Sequence, residues 1–222
     1  MAIVSTLAVA SGVFFSNGSA FAAVQSNPTD SNFAGYVASQ PTVSTASVRF
    51  AVPAITCAAG SSLAMGEGVI VYGNSGTSTY SGGVVLTQCV NGTPTYAVSV
   101  AINGTKTVAT LTVTPGDRMQ VDAAESPTAT SVKVVDHTTA KSFRRSAATG
   151  VTMTLAEIGV VGLGASGPPG FGSVSFSKSL VDGMALGSLS PAPGAWDWAN
   201  AGVTVVHTTT ISTTNVFKAK HV

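Results

Sequence analysis

"CVNGTPTYAVSVAINGTKTVATLTV", from Cys89 to Val113, places two Asn-Gly pairs between runs rich in Val, Thr and Ala. Asn-Gly suits the two left-handed positions of a two-residue hairpin turn. The runs on either side alternate apolar and polar residues over strand-like lengths. The stretch therefore predicts three antiparallel strands, Gly83–Val90, Thr95–Ile102 and Thr107–Val113, joined at Asn91-Gly92 and Asn103-Gly104.

The same grammar continues in both directions. Upstream, Gly35–Val37, Val43–Val52 and Gly68–Tyr72 read as strands. Downstream, Pro115-Gly116-Asp117 turns the chain into Arg118–Ala123, and Ser131–Asp136 is expected to pair with Lys141–Arg145. Val151–Val161, Gly172–Phe176 and Val203–Ile211 complete the set, and no stretch sustains a helical period. Many short strands with hairpin turns predict an all-β fold, an antiparallel sandwich of two packed sheets. Ser188–Gly202, with Pro191, Pro193 and "GAWDWANAG", reads as a long loop inside one domain spanning residues 23–222.

Only 9% of the 222 residues are charged, with a net charge of +1 and 45% hydrophobic residues. No run of basic residues marks a nucleic-acid surface. The opening "MAIVSTLAVASGVFFSNGSAFAAVQS" is apolar through Phe15, and Ala20 and Ala22 supply small residues before a cut. Residues 1–22 are therefore expected to be a secretory signal, and the protein a secreted monomer. Ser16, Asn17 and Ser19 interrupt the run before it could span a bilayer. In an oxidising compartment Cys57 and Cys89 are expected to pair; the alternative is two separate buried thiols. With no histidine near them they do not form a zinc site, and no cofactor is implied.

"GLGASG" at Gly162–Gly167 has the spacing of a dinucleotide fingerprint, but Pro168-Pro169 forbids the helix that must follow. It reads as a loop. His137, His207 and His221 lack ligand spacing and read as surface or strand histidines. Trp196 and Trp198 flank Asp197 and either fold back on the sandwich or form an exposed clamp.

"TMTLAEIGVVGLG", Thr152 to Gly164, sets one carboxylate inside an apolar strand. Alternation puts Glu157 on the face of Val151, Met153 and Leu155. Either the strand ends at Ala156 and Glu157 sits in solvent, or the carboxyl is paired, hydrogen-bonded or protonated.

A series of segments, in order, resembles the eqolisins, the glutamic peptidases. They are "NFAGYV" at Asn32–Val37, "SVRFAVP" at Ser47–Pro53, "QCVNG" at Gln88–Gly92, "VTPGDRMQV" at Val113–Val121, "LAEIGVV" at Leu155–Val161 and "FGSVSFS" at Phe171–Ser177. The resemblance implies a two-sheet sandwich that cleaves polypeptides in acid without a cofactor. A Glu serves as general base and then general acid, and a Gln amide steadies the oxyanion. Carried onto this chain, Glu157 takes the catalytic position. The expected Gln falls at or near Gly83, where no amide exists. Gln88 lies five residues later, about 16 Å along the strand, and is the candidate donor. Where the family carries an aromatic and acidic cluster, "YAVSVAING" keeps only Tyr96, and Ile158 stands where the family has Trp. Tyr96, Trp196 and Trp198 are the candidate substrate-binding residues. The alternative is a non-catalytic descendant, a binding or cell-surface module that uses the tryptophans. A working peptidase predicts an amide side chain within about 5 Å of the Glu157 carboxyl, with Gln88, a backbone amide or another donor supplying the oxyanion contact.

Overall fold

The computed structural model describes residues 26–73, 79–126, 128–148, 151–163 and 167–222. The expected signal segment and Gly164–Ser166 of the glycine-rich motif lie outside them. The described residues form strands β1 (Thr29–Asp30), β2 (Phe33–Ser39), β3 (Thr45–Ala51), β4 (Ile55–Thr56), β5 (Leu63–Gly73) and β6 (Tyr80–Val90). Then come β7 (Thr93–Ile102), β8 (Thr105–Ala109), β9 (Arg118–Ser126), β10 (Ala129–Asp136), β11 (Lys141–Ala147) and β12 (Met153–Gly162). The last six are β13 (Gly170–Phe171), β14 (Ser173–Val181), β15 (Met184–Ala185), β16 (Gly194–Asn200), β17 (Val203–Thr208) and β18 (Phe217–His221).

The hairpins at the centre form as their turn chemistry dictates. Asn91 and Gly92 have φ of 50° and 80°, and Asn103 and Gly104 have φ of 48° and 74°. Two consecutive positive φ values match the right-handed twist of the strands they join. The first sheet runs β8-β7-β6-β5-β12-β2-β16, and the second β11-β10-β9-β3-β14-β18-β17. The two are continuous through β16, which pairs with β2 at Gly194–Trp196 and with β17 at Trp198–Asn200. The two layers trap one core. Met65, Val69, Val85, Val98, Val100, Ile158 and Val160 of the first sheet meet Val48, Phe50, Met119, Val121, Val132, Val134 and Phe176 of the second. Burying each such side chain contributes about 1.5–3 kcal/mol before the cost of ordering the chain.

Two ties reinforce the layers. A disulfide joins Cys57, just after β4, to Cys89 at the end of β6, across 32 residues. Closing a loop of that size contributes roughly 3–4 kcal/mol in the chain-entropy account. At one edge, the Arg145 guanidinium of β11 donates to the Thr105 carbonyl and the Thr107 hydroxyl of β8.

The structure revises four sequence expectations. Ser188–Gly202 is not a loop throughout, because "GAWDWAN" is the strand that links the sheets. Its aromatic alternation was masked by the prolines just upstream. β18 was not anticipated, and Thr107–Val113 holds its ladder only to Ala109. Finally, β12 carries an irregularity between Met153 and Leu155. The extra residue reverses the alternation there. Met153 enters the core, while Leu155 and Glu157 turn to the opposite face.

Candidate active site

Glu157 sits in mid-strand, so its exposure is not that of a strand end. It pairs with Val37 on β2 and with Ile70 on β5. Its neighbours Ala156 and Ile158 point into the core. Its own side chain therefore leaves on the face turned away from the second sheet. That face carries a groove of about 920 Å³, lined mainly by apolar side chains such as Ile70, Val84, Leu86, Val161 and Leu163. Its polar groups include Asp30, Asn32, Tyr72, Gln88, Lys106 and Glu157.

The Tyr72 hydroxyl donates to Glu157 Oε2 at 2.9 Å. Tyr80, across the β5–β6 hairpin, holds the Tyr72 ring at 6.1 Å between centroids. Burial raises the Glu157 carboxyl above its ordinary range; the Tyr72 hydrogen bond opposes that, and the Asp30 carboxylate adds to it. Burial raises the Tyr72 phenol as well, with the Glu157, Tyr80 and Asp30 charges acting in the same direction. The phenol stays protonated throughout the working pH of any peptidase.

The register decides where the other candidates fall. One row crosses the sheet through Glu157, Ile70, Gly82, Ala101 and Lys106. Gly83 faces the core, where a Cβ would lie 3.0–3.2 Å from methyls of Val121, Val132 and Val134. The groove-facing position is Gly82, and a Cβ there would stand 2.3 Å from the Val69 carbonyl oxygen. The strands have closed over the space that an amide side chain would need. Gln88 also lines the groove, but opposite Ala64. It lies six residues beyond Gly82, roughly 20 Å along the strand. At that separation Gln88 and Glu157 do not hold one water between them.

The expected substrate-binding aromatics lie elsewhere, and each placement is a correction. Tyr96 pairs with buried Thr87, on the core side of the sheet, and its hydroxyl accepts from the Ile55 amide at 3.3 Å. Trp198 is 1% exposed, packed over Gly162, and the half-buried Trp196 does not line the groove. Between them Asp197 is a structural anchor. It accepts from the Asn27 amide and the Thr208 backbone at 2.8 Å, and His207 Nδ1 lies 2.9 Å from its second oxygen. The Trp-Asp-Trp segment joins the two sheets, with Trp198 sealed inside and Trp196 half-buried.

Tyr72, Asp30 and Glu67 were not singled out from the sequence. Tyr72 follows Ile70 in "VIVYG", and only the β5–β12 register reveals that it faces Glu157. Glu67 faces the core, fully buried; Thr87 donates to its Oε2 at 2.9 Å, and Oε1 has no hydrogen-bond partner among the described residues. Burial pushes its carboxyl up to about 8, against the Thr87 hydrogen bond.

Residues 31–220 match the description of the Peptidase A4 family. The chain belongs to the Peptidase A4 family. No curated protein matches it. Among solved structures it is similar to scytalido-glutamic peptidase with a transition state analog inhibitor, at 19% identity and a TM-score of 0.65. That alignment covers 87% of this chain and 99% of the other. SCP-B, a member of the eqolisin family in complex with the tripeptide Ala-Ile-His, gives 18%, 0.64 and the same coverage. Aspergilloglutamic peptidase from Aspergillus niger gives 19% and 0.56, covering 72% of this chain and 98% of the other. At these identities the structures speak for a shared fold. The Peptidase A4 chain described here thus shares the fold of these structures, and its groove carries Glu157 with bare backbone at Gly82.

Proposed function

We propose that this A4-family protein is a secreted acid endopeptidase whose general base is Glu157. The observation that carries the reading is the placement of that carboxyl. It is half-buried in an apolar groove, hydrogen-bonded to one phenol and raised above the usual glutamate range. In acid such a group exchanges protons readily, as a catalyst that must both accept and return one has to. Glu157 takes a proton from water as the water oxygen attacks the peptide carbonyl, then gives it to the departing nitrogen. The groove has room for an extended polypeptide, with Leu86, Val161 and Leu163 offering apolar contacts and Gln88 and Lys106 polar ones. The Cys57–Cys89 disulfide suits an oxidising, extracellular setting.

The bare backbone at Gly82 favours a second reading, a binding module that uses the same groove without cleaving its occupant. Incubation of an acid-unfolded protein with the wild type and with Glu157→Gln between pH 2 and 5 separates the two. The peptidase reading expects fragments from the wild type alone. Fragments from neither protein, with an undigested peptide retained, would replace it with the binding module.

A further inference from the structure

We infer that the Tyr72 hydroxyl, rather than an amide, donates the hydrogen bond that stabilises the tetrahedral oxyanion. This rests on Glu157 acting as the base. Three observations carry it. The Tyr72 hydroxyl is the donor that the structure places against the Glu157 carboxyl, at 2.9 Å. The row that leads from Glu157 across β5 reaches Gly82, where a Cβ would collide with the Val69 carbonyl, so an amide cannot be housed there. The amides that do line the groove lie at its other end. Gln88 is six residues from Gly82, and Asn32 lies beside Gly162, whose N–H donates to the Asn32 backbone carbonyl, five residues from Glu157. Lys106 stands four strands away, about 19 Å at 4.8 Å per strand.

The charge shift during the reaction gives Tyr72 this role. At rest its proton points at the Glu157 carboxylate. When water attacks, the new C–O bond forms and the carbonyl π pair moves to oxygen, while the water proton passes to Glu157. The carboxyl is then neutral and the negative charge sits on the substrate oxygen. The best acceptor near the phenol has moved, and the hydrogen bond follows it without proton transfer. On collapse the oxygen pair re-forms C=O, the C–N bond breaks, and the Glu157 proton goes to the amine. Tyr72 ends as it began.

The test is steady-state cleavage of a fluorogenic peptide by wild type, Tyr72→Phe and Glu157→Gln across the acid range. Removing one oxyanion donor typically lowers kcat by about 10²–10³-fold. Tyr72→Phe should show that loss with KM nearly unchanged, including at the highest pH where the enzyme is stable and Glu157 is ionised. If Tyr72 only tuned Glu157, its loss would move the acidic limb upward and leave the plateau intact, which overturns the inference alone. An inactive wild type overturns both this and the peptidase reading. Should Tyr72→Phe fold poorly, 3-fluorotyrosine at position 72 keeps the ring and strengthens the donor. It should alter the plateau kcat while KM holds, and an unchanged kcat would count against the role.

Discussion

Glu67 and Glu157 occupy adjacent strands, three residues apart in register, on opposite faces of one sheet. The first is sealed in the core and the second opens to the groove. Burial raises both carboxyls. A raised carboxyl that a substrate can reach is a proton carrier; one that nothing can reach is a stability term.

The Glu67 term gives the first prediction. Its unfolded value is near 4.3 and its folded value about 8. Below the unfolded value both states hold the proton and no stability is lost. As pH rises from about 4.5 to 8, the unfolded state releases the proton first, and stability falls by roughly 1.4 kcal/mol per unit. Denaturant titrations from pH 3 to 8 should show this decline in the wild type. Glu67→Gln should flatten it, leaving the low-pH stability close to wild type. An unchanged slope in the variant would assign the decline to other groups.

The second prediction concerns Gly82. With the Val69 carbonyl 2.3 Å from the position of a Cβ, Gly82→Ala forces β5 and β6 apart and should cost about 1–3 kcal/mol. Gly82→Gln, which puts an amide on the groove face of the Glu157 row, should cost at least as much and yield no gain in cleavage. A more active Gly82→Gln enzyme would show that the sheet can relax to accept the amide.

A third prediction follows from Asp197. Its removal leaves the buried Thr208 N–H without its acceptor and takes one of two acceptors from the Asn27 amide, which keeps the Thr208 carbonyl. Asp197→Ala should lower unfolding stability by about 2–4 kcal/mol. Trp196→Ala, outside the groove, should leave KM for a peptide within about twofold. A large rise in KM would return Trp196 to the substrate path.

The sequence made the fold legible because its signals were local. Asn91-Gly92 and Asn103-Gly104 dictate their hairpins within a few residues, and the strands around them alternate without ambiguity. Glu157 was legible too, as a carboxylate that an apolar strand must explain. What escaped was whatever depends on register. The irregularity after Met153 reverses which residues share the Glu157 face, and no sequence pattern announces it. Tyr72 meets Glu157 only because β5 and β12 pair as they do. Gln88 and Gly82 share one strand, but the pairing decides which stands opposite the carboxyl. "FKAKH", with its apolar and basic residues alternating, carried a strand signal in plain view.

Acid peptidase activity in this fold depends on a proton held by Glu157 in the groove. Its most direct test sets the pH dependence of kcat/KM beside the NMR titration of a 13C-labelled Glu157 carboxyl in the free enzyme. Activity should climb with pH along a limb whose midpoint coincides with that titration and lies above an ordinary glutamate, and Glu157→Gln should abolish it. A limb that ignores the titration of Glu157, or a Gln variant that cleaves at the wild-type rate, would contradict the assignment.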